Sequence, residues 1–213
     1  MITITGFNWV PDFAKGLVRD LRVRWACEEA GLPYQTRLIG QNEKTSDSYR
    51  AQQPFCQVPF YQDDDVEIFE SGAMVLRIAE RSEALLPKTD PGRARAIAWM
   101  FAALNSVEPA TGRLVGVDLF HHDASWFNDA RPVFEAGAKK RLGDLAQRLS
   151  GRDWLEDRFT AGDLLMATVL RELRHTDLVA GNPVLAPYLA RCEARPAFKR
   201  ALDAQMASFK EAA

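Results

Sequence analysis

The sequence predicts two regions of different class, a mixed α/β domain over residues 1–85 and an all-α domain over residues 92–213. Three observations carry that division. Apolar alternation of period two occurs only before residue 70, and helical spacing of three and four takes over beyond Arg93. Between them, Leu86-Pro87-Lys88-Thr89-Asp90-Pro91-Gly92 interrupts both patterns with two prolines and a glycine, as a linker does. At 213 residues, 47% of them hydrophobic, the chain is long enough to bury a core in each part.

Ile2 and Ile4 alternate with Thr3 and Thr5, which indicates a short, half-buried first strand. Phe13 to Ala30 is helical in pattern, with Leu17, Leu21 and Trp25 in step, and Gly31 followed by Pro33 ends it. Tyr34 to Ile39 is the second strand. After a polar stretch with a short helix over Ser46 to Gln52, Gln57–Tyr61 and Val66–Phe69 are strands on either side of Gln62-Asp63-Asp64-Asp65. The three acids are expected in a solvated hairpin turn, and Ser71 to Arg81 forms the next helix. The order is β-α-β, then β-β-α.

Beyond the linker, Arg93–Leu119, Ala130–Leu149, Ala161–His175, Pro183–Arg195 and Ala197–Phe209 all show helical spacing. Thr160-Ala161-Gly162-Asp163 forms a capping box, in which a hydroxyl and an acid three residues later each satisfy an open backbone N–H. Phe159 and Leu164 occupy the staple positions. This is a folding signal without a catalytic role.

Lys and Arg total 27 against 29 for Asp and Glu, a net charge of −2, so no basic field gathers nucleic acid or an anionic membrane. Cys27, Cys56 and Cys192 are the only cysteines and lack metal-site spacing, which suits a reducing compartment. The longest apolar run, Ala96 to Leu104, is nine residues against roughly 18 for a membrane span. The opening Met1-Ile2-Thr3-Ile4 has no basic segment of a signal peptide. A soluble cytoplasmic protein is expected.

Several motifs then resemble the cytosolic glutathione transferase superfamily along essentially the whole chain. Gln53-Pro54-Phe55-Cys56-Gln57-Val58-Pro59, followed by Phe69-Glu70-Ser71-Gly72-Ala73, is similar to that family's glutathione-site signature. Arg22-Val23-Arg24-Trp25-Ala26 with Glu28-Glu29-Ala30-Gly31-Leu32-Pro33-Tyr34 resembles its first helix and second strand. Phe159-Thr160-Ala161-Gly162-Asp163, Tyr188-Leu189-Ala190-Arg191-Cys192 and Arg195-Pro196-Ala197-Phe198 resemble landmarks of its helical domain. The resemblance implies a thioredoxin-like domain with a mixed four-stranded sheet, an all-helical domain forming an electrophile pocket, glutathione as co-substrate between them, and a homodimer.

It also implies a glutathione-binding set: Lys44, Gln57, Val58, Pro59, Glu70 and Ser71. Pro59 is expected in the cis form, which only X-Pro bonds adopt at a cost of about 0.5–1 kcal/mol. Val58 would then pair its N–H and C=O with the cysteinyl backbone, like an added strand. Ser71 at a helix start would meet the α-carboxylate of the γ-glutamyl group, and Glu70 its ammonium. Lys44 would reach the glycyl carboxylate and Gln57 would border the cysteinyl and glycyl parts. Gln53 replaces the asparagine more often found before that proline.

Enzymes of this family work through a thiolate. A free cysteinyl thiol ionises near pH 8.5, so lowering its pKa by two units takes about 2.7 kcal/mol of preferential stabilisation. Most relatives supply a Tyr, Ser or Cys donor near the first helix start. From Gly6 to Pro33 this chain has no Tyr, Ser or Thr, and Leu17, Val18 and Arg19 stand where Ser or Cys is expected. The remaining donors are the Asn8 amide, the Trp9 indole and the Lys15 ammonium. Asn8 is the first choice because it directly follows the strand. Asp12 would oppose a thiolate.

His121-His122-Asp123 reads as a surface loop, with no metal site expected. Trp99, Met100 and Phe101 are expected to serve core and pocket wall. The function implied is conjugation of glutathione to small apolar electrophiles, as in detoxification. Two alternatives stand beside it: a glutathione-dependent cis-trans isomerase of the maleylacetoacetate type, against which the missing Ser-Ser-Cys run speaks, and a non-catalytic glutathione-binding regulatory protein.

Overall fold

In the structure, a computed structural model describing residues 1–209, the amino-terminal alternation forms strand β1 (Ile2–Phe7). The end of the expected helical region, residues 210–213, lies outside the described residues. β1 pairs in parallel with β2 (Tyr34–Ile39), from Ile2 opposite Tyr34 to Phe7 opposite Ile39. On its other side it pairs antiparallel with β3 (Tyr61–Gln62), which pairs antiparallel with β4 (Glu67–Ile68). The sheet order is β2-β1-β3-β4.

The last two strands are shorter than their sequence pattern. Pro59 has no N–H to give to a ladder, so regular pairing begins only at Tyr61, one Thr5 N–H to Phe60 C=O bond of 2.9 Å extending it.

Helix α1 spans Asp20–Ala30, seven residues later in start than the pattern suggests. A short turn at Asp12–Ala14 and Gly16, at φ 76°, occupy the difference, because left-handed backbone cannot propagate a right-handed helix. Its end is as expected: Gly31 takes φ 66°, and Leu32 N–H reaches the Cys27 carbonyl at 3.0 Å. Short helices α2 (Gln41–Lys44) and α3 (Asp47–Gln52) follow β2, with the Ser46 hydroxyl capping α3 through Tyr49 N–H. Helix α4 (Ser71–Ala79) follows β4.

Two compact units result, Met1–Leu86 with the chain from Ala194, and Pro87–Glu193. Five helices and a short sixth follow the linker: α5 (Asp90–Phe101), α6 (Glu108–Phe120), α7 (Phe127–Leu149), α8 (Ala161–Arg171), α9 (Asp177–Ala180) and α10 (Leu185–Glu193). The last described helix, α11 (Pro196–Met206), packs on α1 in the first unit, not with the helices it follows in sequence. There the Trp25 and Phe198 rings meet edge to face at 4.9 Å, and Arg195 clasps Glu29 with two bonds of 2.6 and 2.7 Å. Helical spacing shows that α11 has an apolar side, but not which surface covers it.

In the second unit, α5 begins inside the expected linker, since Pro91 in a first turn costs no hydrogen bond. α5 runs into α6 through a wider π turn at Ala102–Val107. Pro109 supplies the reason: it has no N–H for the Asn105 carbonyl, and its ring crowds that position. The capping box of α8 forms as expected, with Thr160 N–H on Asp163 at 2.9 Å and Gly162 N–H on Thr160 Oγ at 3.2 Å. Asp163 also accepts from Leu155 N–H and the Tyr188 hydroxyl, so one buried acid joins three segments. α8 is buried from Ala161 to Leu170, and a Cβ at Gly162 would stand 2.6 Å from that of Trp99.

The turn between β3 and β4 differs from its expectation. Asp64 and Asp65 are solvated, but Asp63 is buried and accepts from Tyr61 Oη, the Asp65 and Val66 N–H groups, Arg77 and Arg81. Burial would raise its carboxyl, yet those backbone and side-chain donors outweigh it and hold Asp63 well below the usual carboxylate range. A depressed folded pKa contributes stability that is complete above the unfolded value of about 3.9 and is lost as pH falls below it. We expect thermal unfolding of Asp63→Asn to depend less steeply on pH below about 4 than that of the wild type, with a loss of about 1.5–3 kcal/mol at pH 7. Parallel slopes would show that another group governs acid sensitivity.

Candidate active site

Two segments of the first unit carry the predicted binding residues. The first runs from α3 to β3. Tyr49 is buried and donates its hydroxyl to the Gln57 carbonyl at 2.7 Å, and burial pushes that hydroxyl up to about 12, so it remains a donor. Gln53, also buried, accepts the Phe55 N–H at 2.8 Å through Oε1, while Cys56 N–H returns to the Gln53 carbonyl at 2.9 Å. An amide at this place thus shapes the loop, and glutamine does so as asparagine could. Cys56 is turned to φ 52°.

Beyond it, the Val58-Pro59 bond is cis. Val58 packs with Ile39, Tyr49 and Phe60, against Phe7 and Val18. Among the described residues its own N–H and C=O have no hydrogen-bond partner.

The second segment is the step from β4 into α4. Glu70 takes φ 72° and ψ 112°, which turns the chain from strand to helix at one residue. No side chain caps α4 and no acid stands in its first turn, so the N–H groups there and the positive end of the helix are open to an anion. Ser71 is buried at the first helical position. Glu70 is exposed, and among the described residues its carboxylate has no ion-pair partner. The two segments meet through Phe55 and Phe69, whose rings stand edge to face at 6.0 Å.

Lys44 ends α2 with Nζ 5.9 Å from the centre of the Phe7 ring, which puts its charge beside the carboxyl end of β1. Gln57 is exposed, its side-chain amide without a partner among the described residues. Asn8 directly follows β1, with its N–H on the Ile39 carbonyl at 3.1 Å. Its half-buried amide has no partner among the described residues, which leaves a donor at the end of the strand. Trp9 is 41% exposed. Lys15 is spent on its own loop: Nζ lies 2.7 Å from Asp12, whose carboxyl it holds below the usual range.

One residue of this neighbourhood, named above only as part of the first-helix motif, has no site role in the sequence pattern. Arg22, on α1, is buried and donates from Nη1 to Ser71 Oγ at 3.3 Å. Nothing in the sequence separates it from its charged neighbours Arg19, Asp20 and Arg24 on the same helix. The thiols offer less: Cys27 and Cys192 are buried, and burial pushes the Cys27 thiol up to about 12. The histidines lie in the other unit, where His121 faces Trp126 at 5.3 Å, His122 meets Asp123 at 3.1 Å and His175 meets Asp118 at 3.1 Å.

A family model for the glutathione S-transferase N-terminal domain matches residues 21–87. A glutathione S-transferase of Hyoscyamus muticus is 28% identical to this chain, over 70% of it and 76% of its own length. The crystal structure of a glutathione transferase from Burkholderia graminis, with two glutathione molecules bound per subunit, aligns with a TM-score of 0.82 at 27% identity. That alignment covers 95% of this chain and 87% of the other. Residues 21–87 thus match the glutathione S-transferase N-terminal domain, and the chain as a whole has the fold of the glutathione transferases. The first unit is accordingly the thioredoxin-like domain of a glutathione transferase fold, and the helices after the linker are its helical part. The fold is shared more widely, since the nitrogen regulation fragment of the yeast prion protein Ure2p aligns with a TM-score of 0.80 at 20% identity, over 95% of this chain and 96% of that one.

Proposed function

We propose that the protein is a glutathione transferase that binds glutathione in its first unit and joins the sulfur to a small apolar electrophile. The observation that carries this reading is the open start of α4, where the Ser71 hydroxyl and the Glu70 carboxylate offer one donor and one acceptor of opposite character side by side. The γ-glutamyl end of glutathione has the matching pair, a carboxylate and an ammonium. Val58, with both backbone groups free of partners in the described chain, suits the cysteinyl backbone, and Lys44 suits the glycyl carboxylate.

In the reaction the thiol proton leaves to solvent, the sulfur lone pair forms a bond to the electrophilic carbon, and the leaving group departs with its bonding pair. The protein's contributions are proximity and stabilisation of the thiolate, the second assigned to the Asn8 amide. Trp99 is held by Glu156 at 2.9 Å and Arg148 lies over its ring at 5.4 Å, Met100 is in the core and Phe101 is exposed, which suits the reading of that helix as core and pocket wall. A homodimer and a cytoplasmic, detoxifying role complete the proposal. No described helix is long and apolar enough to cross a membrane.

A regulatory protein that binds glutathione without turning it over is the second reading, favoured by Leu17, Val18 and Arg19 where a serine or cysteine donor is expected. Titration calorimetry with glutathione, followed by turnover assays on a panel of apolar electrophiles, separates the two. Binding with turnover is expected. Binding without turnover would move the protein to the regulatory reading, and no heat at millimolar glutathione would end both.

A further inference from the structure

Ser71 is buried, and a serine hydroxyl has one proton to give and lone pairs to receive. Arg22 can only donate, so the 3.3 Å contact between its Nη1 and Ser71 Oγ fills a lone pair of the serine and leaves the proton for another acceptor. Among the described residues no acceptor takes that proton. The first turn of α4 adds its open N–H groups on the same side of the charge balance, with no acid in that turn to offset them. A guanidinium, a hydroxyl proton aimed away from it and a helix start all favour negative charge at one point.

We propose that Arg22 is a positioning residue of the glutathione site, orienting the Ser71 hydroxyl so that its proton faces the α-carboxylate of the γ-glutamyl group. This rests on the proposed function and deepens it. Arg22 acts through Ser71, so its effect is confined to ligands that carry that carboxylate. A purely structural arginine would weaken every ligand alike.

The test compares glutathione with 4-aminobutyryl-cysteinyl-glycine, which lacks that one carboxylate, on the full chain by calorimetry. The wild type is expected to bind glutathione about 10- to 100-fold more tightly than the analogue, the worth of a charge-assisted hydrogen bond. In Arg22→Met this ratio is expected to fall at least about threefold, the open N–H groups of α4 keeping the remainder, with analogue affinity unchanged. Arg22→Met/Ser71→Ala should discriminate no worse than Ser71→Ala alone, because the two residues form one device. Arg22→Lys keeps a donor and a charge in place, guards against loss of folding, and should retain the wild-type ratio within about threefold.

Equal weakening of both ligands in Arg22→Met, additive losses in the double variant, or a folded Arg22→Lys without discrimination would each overturn the role of Arg22. A wild type that binds neither ligand overturns the glutathione reading itself, an outcome distinguishable from these.

Discussion

Replacing Asn8 by alanine is expected to raise the apparent pKa of bound glutathione's thiol by about one to two units while leaving glutathione affinity nearly intact. A hydrogen bond to a charged acceptor contributes about 1.5–3 kcal/mol, and each pKa unit corresponds to about 1.36 kcal/mol. The neutral thiol is a weak acceptor, so the amide's contribution appears almost entirely on ionisation. Asn8 is placed for this by its backbone, tied to Ile39 at 3.1 Å at the end of β1, and by an amide free of partners among the described residues. Lys15 is a poorer candidate because Asp12 at 2.7 Å neutralises it. The ultraviolet thiolate signal of the bound complex, titrated in wild type and variant, reads the shift directly. The pH profile of kcat/KM should move upward with it, giving about a 10- to 100-fold loss of rate below both pKa values. Coincident titration curves would remove Asn8 as the activating group and turn attention to the Trp9 indole.

Asp20→Ala is expected to lower stability by about 3–5 kcal/mol, the cost of leaving a buried charge without its partner. Asp20 and Arg24 are each 2% exposed and bonded at 2.8 Å, one turn apart on α1. The pair does not stand alone. Gln205 of α11 donates to Asp20 at 2.6 Å and to the Val18 carbonyl at 3.0 Å, and Arg24 donates to Ser208 at 3.1 Å. Gly6 closes the network, since a Cβ there would stand 3.1 Å from both Arg24 Nη2 and Asp20 Oδ2. At roughly 2–4 °C per kcal/mol for a chain of this size, the midpoint of thermal unfolding should fall by about 10 °C. Replacing both charges, as in Asp20→Leu/Arg24→Met, should recover much of the loss, because the desolvation of each ion is removed together with their attraction. A double variant as unstable as Asp20→Ala would show that Gln205 and Ser208, left with polar groups unmet, dominate the network.

The two predictions draw on different amounts of sequence information. Asn8 is legible as a donor after a strand, because alternation at Ile2 and Ile4 locates the strand and residues 6–33 hold no Ser, Thr or Tyr. The Asp20 network was not visible. Asp20 and Arg24 on one helix face look like an ordinary surface pair at i and i+4, and only burial under α11 converts that pair into a buried one. Asp63 is a parallel case, since three adjacent acids suggest solvent and the fold buries the first of them.

By itself the sequence determined the local signals: the order of strands and helices, the glycine that ends α1, the capping box of α8, and the paired motifs around Val58-Pro59 and Glu70-Ser71. These are short-range effects of periodicity, φ preference and backbone hydrogen bonding, which need no distant partner. Tertiary structure alone decided that α11 belongs to the first unit, that Phe55 and Phe69 join the two halves of the motif, and that Arg22 reaches Ser71. Each depends on residues 14 to more than 170 positions apart. An amphipathic face or a cation shows that it needs a partner, but the partner's identity is set only when the chain closes on itself.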